Sequence, residues 1–144
     1  VGYTIPFQMF AAEWINADDL ATNLNRLQLP GLHFRPIHIK PFYSVGQGKQ
    51  LQGVQVHIMD YEKARLSEIQ FYLMQEVAAL YPDRAVFDHA DEKRYRMFDQ
   101  VSGSDYVRLT FAKNNRFDDI KDFWYSKTEP FKRLSKKYYY YLYK

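Results

Sequence analysis

No cysteine occurs among the 144 residues, which excludes disulfides, thiolate nucleophiles and zinc sites built on sulfur. No apolar run approaches the roughly 20 residues that a membrane-crossing helix needs. A strong excess of one charge is missing too: 20 basic against 17 acidic residues leave a formal +3, and no nucleic-acid-binding motif is present. H-E-x-x-H, G-x-S-x-G, the phosphate-binding loop and the dinucleotide fingerprint are all absent, so none of the chemistries they carry is signalled. The four histidines, His33, His38, His57 and His89, include no pair at the spacing of a helical zinc site. Nothing in these patterns implies a cofactor or a metal. Internal repeats and low-complexity linkers are likewise lacking.

What the chain does have is aromatic weight, with 13 Tyr, 11 Phe and 2 Trp making up 18% of it. Such rings bury one face while keeping a polar tip wet, which suits cores, interfaces and sugar-stacking surfaces alike. With 47% hydrophobic and 26% charged residues the composition is globular, and the length is that of one domain. The basic residues are unevenly spread. Lys132, Arg133, Lys136, Lys137 and Lys144 follow one another without an acid, a run that reads as a solvated helix end, with contact to an anionic polymer as the alternative. The chain opens directly on "VGYTIPFQMF", a strand-like segment without an initiator Met, and is expected to be a piece of a longer protein.

Periodicity divides the chain into a mixed half and a helical half. Residues 3–10 read as extended, with Pro6 favouring an edge or a strand start. "WINADDLATNLNRLQLPG" reads as a helix capped by Asn16 or Asp18, striped by Leu20, Leu24 and Leu27 and stopped at Pro30–Gly31. "LHFRPIHIKPF" (32–42) alternates as a strand interrupted by Pro36, placing His33, Arg35 and Ile37 on one face and His38 on the other. "GVQVHIMD" (53–60) alternates more cleanly, with Val54, Val56 and Ile58 on one side and Gln55 and His57 on the other. Asp60 ends this strand and caps a helix over 61–81, whose Leu66, Ile69, Leu73, Val77 and Leu80 share a face and which is expected to pack on the Val54, Val56 and Ile58 side of the sheet. Beyond residue 84, helices are expected to close at Gly103, to start at Ser104, and to kink or split at Pro130. The fold class is α+β: a small sheet of about three or more strands packed with several helices, helical in its C-terminal half, over a single domain 1–144.

Chemistry is thin on this frame. A glycosidase needs two carboxylates flanking the scissile bond, but Asp18, Asp19, Asp91, Glu92, Asp118 and Asp119 sit at capping and solvated helix positions. Glu13 and Asp60, beside strand ends, are the two acids placed for anything else. The unusual feature is the polar side of 53–60, an amide and an imidazole where a solvated strand would carry Lys, Glu or Thr. Gln55 and His57 are therefore candidate ligand-binding residues, although an imidazole on a strand is also an ordinary structural residue.

Taken in order, "PFQMFAAEWIN", "LPGLHFRPIHIKP" and "LQGVQVHIMD" resemble the C-terminal domain of the NamZ-type exo-β-N-acetylmuramidases, bacterial glycoside hydrolases of peptidoglycan fragments. The resemblance runs from residue 1 to about 82 and continues, more weakly, through "FDQVSGSDYVR" to the closing "KYYYYLY". It implies an absent N-terminal Rossmann-like domain carrying the catalytic machinery, with the active-site cleft lying against the present domain. It implies no catalytic residue in this segment. His57, Gln55, Arg35, Glu13 and Trp14 become candidate substrate-binding residues, able to meet sugar hydroxyls, an N-acetyl group or a lactyl carboxylate. The implied partners are that Rossmann-like domain and a peptidoglycan-derived saccharide, without nucleic acid or a membrane-spanning segment. Export to the periplasm or cell envelope through a signal peptide on the missing part is expected. The alternatives are a non-catalytic glycan-binding module and a structural interaction domain.

Overall fold

The computed structural model describes residues 4, 5 and 7–140. The chain divides into two compact units, Val1–Ala85 and Val86–Lys144.

The first unit holds a three-stranded antiparallel sheet of β1 (Met9–Ala12), β2 (Leu32–Ile39) and β3 (Leu51–Ile58), in the order β1-β3-β2. Helix α1 (Ala17–Arg26) joins β1 to β2, and α2 (Ile69–Leu80) follows β3. Asn16 starts α1 by accepting hydrogen bonds from the Asp18 and Asp19 amides, with those two acids in the dipole-favoured first turn. The helix ends at Leu27, where Gln28 turns left-handed (φ 51°), three residues before Gly31 takes φ 71° to enter β2. Leu20 and Leu24, fully buried, meet Phe34 of β2 and Val54 of β3 across the α1–sheet interface, with Ile15 and Ala21 beside them. Leu73 and Val77 of α2 complete the same core. Burying each such side chain contributes about 1.5–3 kcal/mol.

Three expectations change here. The strand expected over 3–10 begins at Met9, because Phe7 sits at φ 62°, outside the extended region; Val1 to Tyr3 and Pro6 lie outside the described residues. The second helix begins at Ile69 and not near 61. Asp60 does accept from the Glu62 and Lys63 amides, but this closes a local turn, and Leu66 lies in a short 3-10 turn with half its surface exposed. Helix α1 also covers much of the sheet face that the longer helix was expected to cover. Val54 is fully buried there and Val56 packs beside it, whereas Ile58 lines a groove.

The second unit is helical: α3 (Glu92–Ser102), α4 (Asp105–Asn114), α5 (Asp118–Tyr125) and α6 (Thr128–Ser135). Asp91 and Ser104 cap α3 and α4 through the Arg94 and Tyr106 amides, and Gly103, left-handed at φ 76°, separates the two helices. Pro130 falls in the first turn of α6, where its missing N–H is harmless, and the expected split falls before it, at Ser126 and Lys127 between α5 and α6. Phe111, Phe117, Val107 and Ile120 are fully buried, and the Phe87 ring meets Phe98 edge-on at 5.0 Å. Arg108 binds Asp99 with two hydrogen bonds of 2.8 Å, tying α4 to α3.

Candidate functional site

The register of the sheet decides which polar side chains meet. His33 lies opposite His57, Arg35 opposite Gln55 and Ile37 opposite Gly53, while Met9 of β1 flanks Gln55 from the other side. Paired residues share a face, so these form the sheet side away from Phe34 and Val54. The Arg35 guanidinium donates to Gln55 Oε1 at 2.9 Å, holding the amide in one orientation. His33 and Arg35 are exposed.

His57 is half-buried, and its Nε2 is closed to solvent with no hydrogen-bond partner among the described residues. A neutral imidazole offers one donor and one acceptor, and leaving one buried and unmade costs about 1–3 kcal/mol. The residue lines a groove of about 720 Å³ at the end of β3. Phe7 and Met9 form one side of it, the β3 residues Gln55 to Ile58 its floor, and Tyr61 and Gln70 the side leading into α2. That volume is in the range of small-ligand sites. Among the described residues no carboxylate lines it. The groove is equipped to bind neutral polar groups and not to transfer a proton between acids.

The other two candidates stand elsewhere. Ala12 pairs with Gln52, so Glu13 and Trp14 lie beyond the opposite end of β3, about 17 Å along the strand from His57. Glu13 is ion-paired to Lys49 at 2.7 Å. The Trp14 ring meets Tyr81 edge-on at 5.2 Å, with the Arg84 guanidinium 5.8 Å from its centre. Asp60 is held below the usual carboxylate range, chiefly by its hydrogen bond to Lys63, with which it pairs at 2.8 Å. It stays ionised and is a poor proton donor. Among the described residues no three His, Asp or Glu side chains are grouped to hold a metal ion, and no helix is long and apolar enough to cross a membrane.

Met9, Tyr61 and Gln70 were not among the sequence candidates. Met9 becomes visible only when β1 pairs with β3, and Gln70 only when α2 starts at Ile69. Alternation within one strand signals neither.

These features define an α+β domain with a groove that, among the described residues, no carboxylate lines. The chain belongs to the family described as "Exo-beta-N-acetylmuramidase NamZ, C-terminal", whose sequence pattern matches residues 1–141. It is 27% identical over 137 residues to the peptidoglycan beta-N-acetylmuramidase NamZ of Bacillus subtilis (strain 168), covering 95% of this chain and 32% of that protein. The crystal structure of a DUF1343 family protein from Bacteroides fragilis NCTC 9343 superposes with a TM-score of 0.96 at 66% identity, over 98% of this chain and 37% of that one. The chain spans about a third of the length of these relatives.

Proposed function

We propose that this domain completes the substrate cleft of an exo-β-N-acetylmuramidase, which removes terminal N-acetylmuramic acid from peptidoglycan fragments. A Rossmann-like domain of the same protein supplies the catalytic groups, and the protein is exported to the cell envelope. The observation that carries the reading is the unpartnered Nε2 of His57 in a groove free of carboxylates. Nε2 is closed to solvent, so a sugar hydroxyl or N-acetyl group becomes its partner only when the ring turns into the groove, whereas Gln55, oriented by Arg35, already lines the groove as a polar contact. Family membership supports the same reading.

The test is His57→Ala in the full-length parent. Removing an imidazole whose Nε2 makes no protein hydrogen bond leaves no partner stranded there, so the unfolding midpoint should not fall. A lost hydrogen bond to a neutral group costs on the order of 1 kcal/mol, so kcat/KM on a chromogenic N-acetylmuramide should fall roughly fivefold. A large drop in the midpoint with unchanged kcat/KM makes His57 scaffold. Tight binding of muropeptides by the isolated chain would favour a free-standing glycan-binding module instead.

A further inference from the structure

The end of the second unit carries an amphipathic surface that the cleft does not use. Helix α6 and the 3-10 turn Lys136–Tyr138 form a continuous stretch in which no residue is buried. Phe131 and Leu134, at i and i+3, share one face of α6, and Tyr138 follows in the 3-10 turn. They are 66%, 59% and 69% exposed, so that face is open. Lys132 and Arg133 fall on the remaining arc of α6 at about 100° per residue, and Lys136 and Lys137 follow in the 3-10 turn, with the Lys137 ammonium 5.0 Å from the centre of the Tyr138 ring. Glu129 is the single acid between residues 126 and 140, and Lys132 pairs with it at 2.7 Å. Tyr139 and Tyr140, also exposed, extend the aromatic edge.

An open apolar stripe beside a cluster of cations matches an anionic bilayer surface on both counts. The rings and the leucine enter the headgroup–acyl boundary while long basic side chains reach the phosphates. A soluble anionic polymer would use the cations and leave Phe131 and Leu134 in water. We propose that the segment from Thr128 to Tyr140 is a peripheral docking surface for membranes rich in anionic phospholipid. The stretch is short, so binding is weak and reversible, with each Lys or Arg contributing about fivefold in partitioning at low salt.

The experiment is co-sedimentation of the full-length parent with vesicles of phosphatidylglycerol and phosphatidylcholine, against phosphatidylcholine alone, at low and at high salt. Binding to the anionic vesicles that weakens with salt is expected. Lys132→Gln, Arg133→Gln, Lys136→Gln and Lys137→Gln combined should reduce it at least a hundredfold. Phe131→Ser with Leu134→Ser should reduce it tenfold or more, while the unfolding midpoint holds, since both side chains are exposed. Equal sedimentation with the two vesicle types overturns the proposal. So does anionic binding that survives the serine pair, which makes the surface a purely electrostatic one for other polyanions. A Leu134→Cys thiol that resists maleimide labelling in the native parent, because another part of the protein covers it, overturns it as well.

Discussion

Asn25 acts on Phe34 as a neighbouring strand would. Its Oδ1 accepts from the Phe34 amide at 2.9 Å, and its Nδ2 donates to the Phe34 carbonyl at 2.8 Å. Phe34 lies on the edge strand β2, and its backbone groups point away from β3 towards α1. A single amide on α1 therefore closes the edge at the point where the strand's largest core side chain is anchored.

Asn25→Ala should lower stability by about 1–3 kcal/mol, because two polar groups beside a buried phenylalanine lose their partner. Asn25→Asp keeps an acceptor for the Phe34 amide but sets a carboxylate against the carbonyl, so it should not restore the wild-type value. Urea unfolding of the three proteins measures both. An alanine variant as stable as wild type would mean that water replaces the amide without cost.

Glycine is required at Gly53 for a different reason. It faces Ala11 on one side and Ile37 on the other, and a Cβ there would run into the Phe10 carbonyl oxygen and the Ala11 backbone. Gly53→Ala should separate β1 from β3 and destabilise by several kcal/mol, since backbone is the obstacle and cannot rotate away. Gly48 offers the contrast: nothing lies within 4 Å of a Cβ built there, and only its φ of 74° opposes a side chain. Gly48→Ala should cost about 1–2 kcal/mol. Circular dichroism melts of the pair rank the two effects.

The isolated chain should release no product from a chromogenic N-acetylmuramide. Glu13 and Asp60, the two acids placed at strand ends, lie roughly 20 Å or more apart along β3. Glycosidase carboxyls stand about 5–9.5 Å apart. Each acid is moreover paired with a lysine. Turnover above a buffer blank would show that another pair in this chain is catalytic.

The strands β2 and β3 were legible from alternation at their centres, Phe34 against His33 and Arg35 and Val54 against Gln55 and His57, although Ile37 and Ile39 put apolar side chains on the His33 face of β2. His33, Arg35 and Ile37 share a face as read, and Gln55 and His57 face away from Val54. The caps at Asn16 and Ser104 were legible for the same local reason. The start of α2 was not. Phe71, Leu73, Met74 and Val77 are all buried, so this helix is apolar on more than one side and its stripe cannot mark where it begins. Leu66 fits the stripe in spacing yet lies outside the helix. In the site, the joining of Arg35, Gln55 and His57 follows from strand alternation plus register. The separation of Glu13 and Trp14 from them depends on β1 running antiparallel to β3, a non-local fact that no window of sequence contains.

The strand order has a kinetic consequence. β2 and β3 are joined by residues 40–50 and pair with each other, whereas β1 reaches β3 only after residues 13–50 have been closed into a loop. That loop is roughly three and a half times longer, which adds about 1 kcal/mol of closure entropy by the logarithmic rule. The hairpin with α1 laid across it is the natural nucleus, and Met9–Ala12 docks onto it late. The wall of the groove that carries Phe7 and Met9 is thus the last part of the site to be assembled and, in the native protein, the first to open.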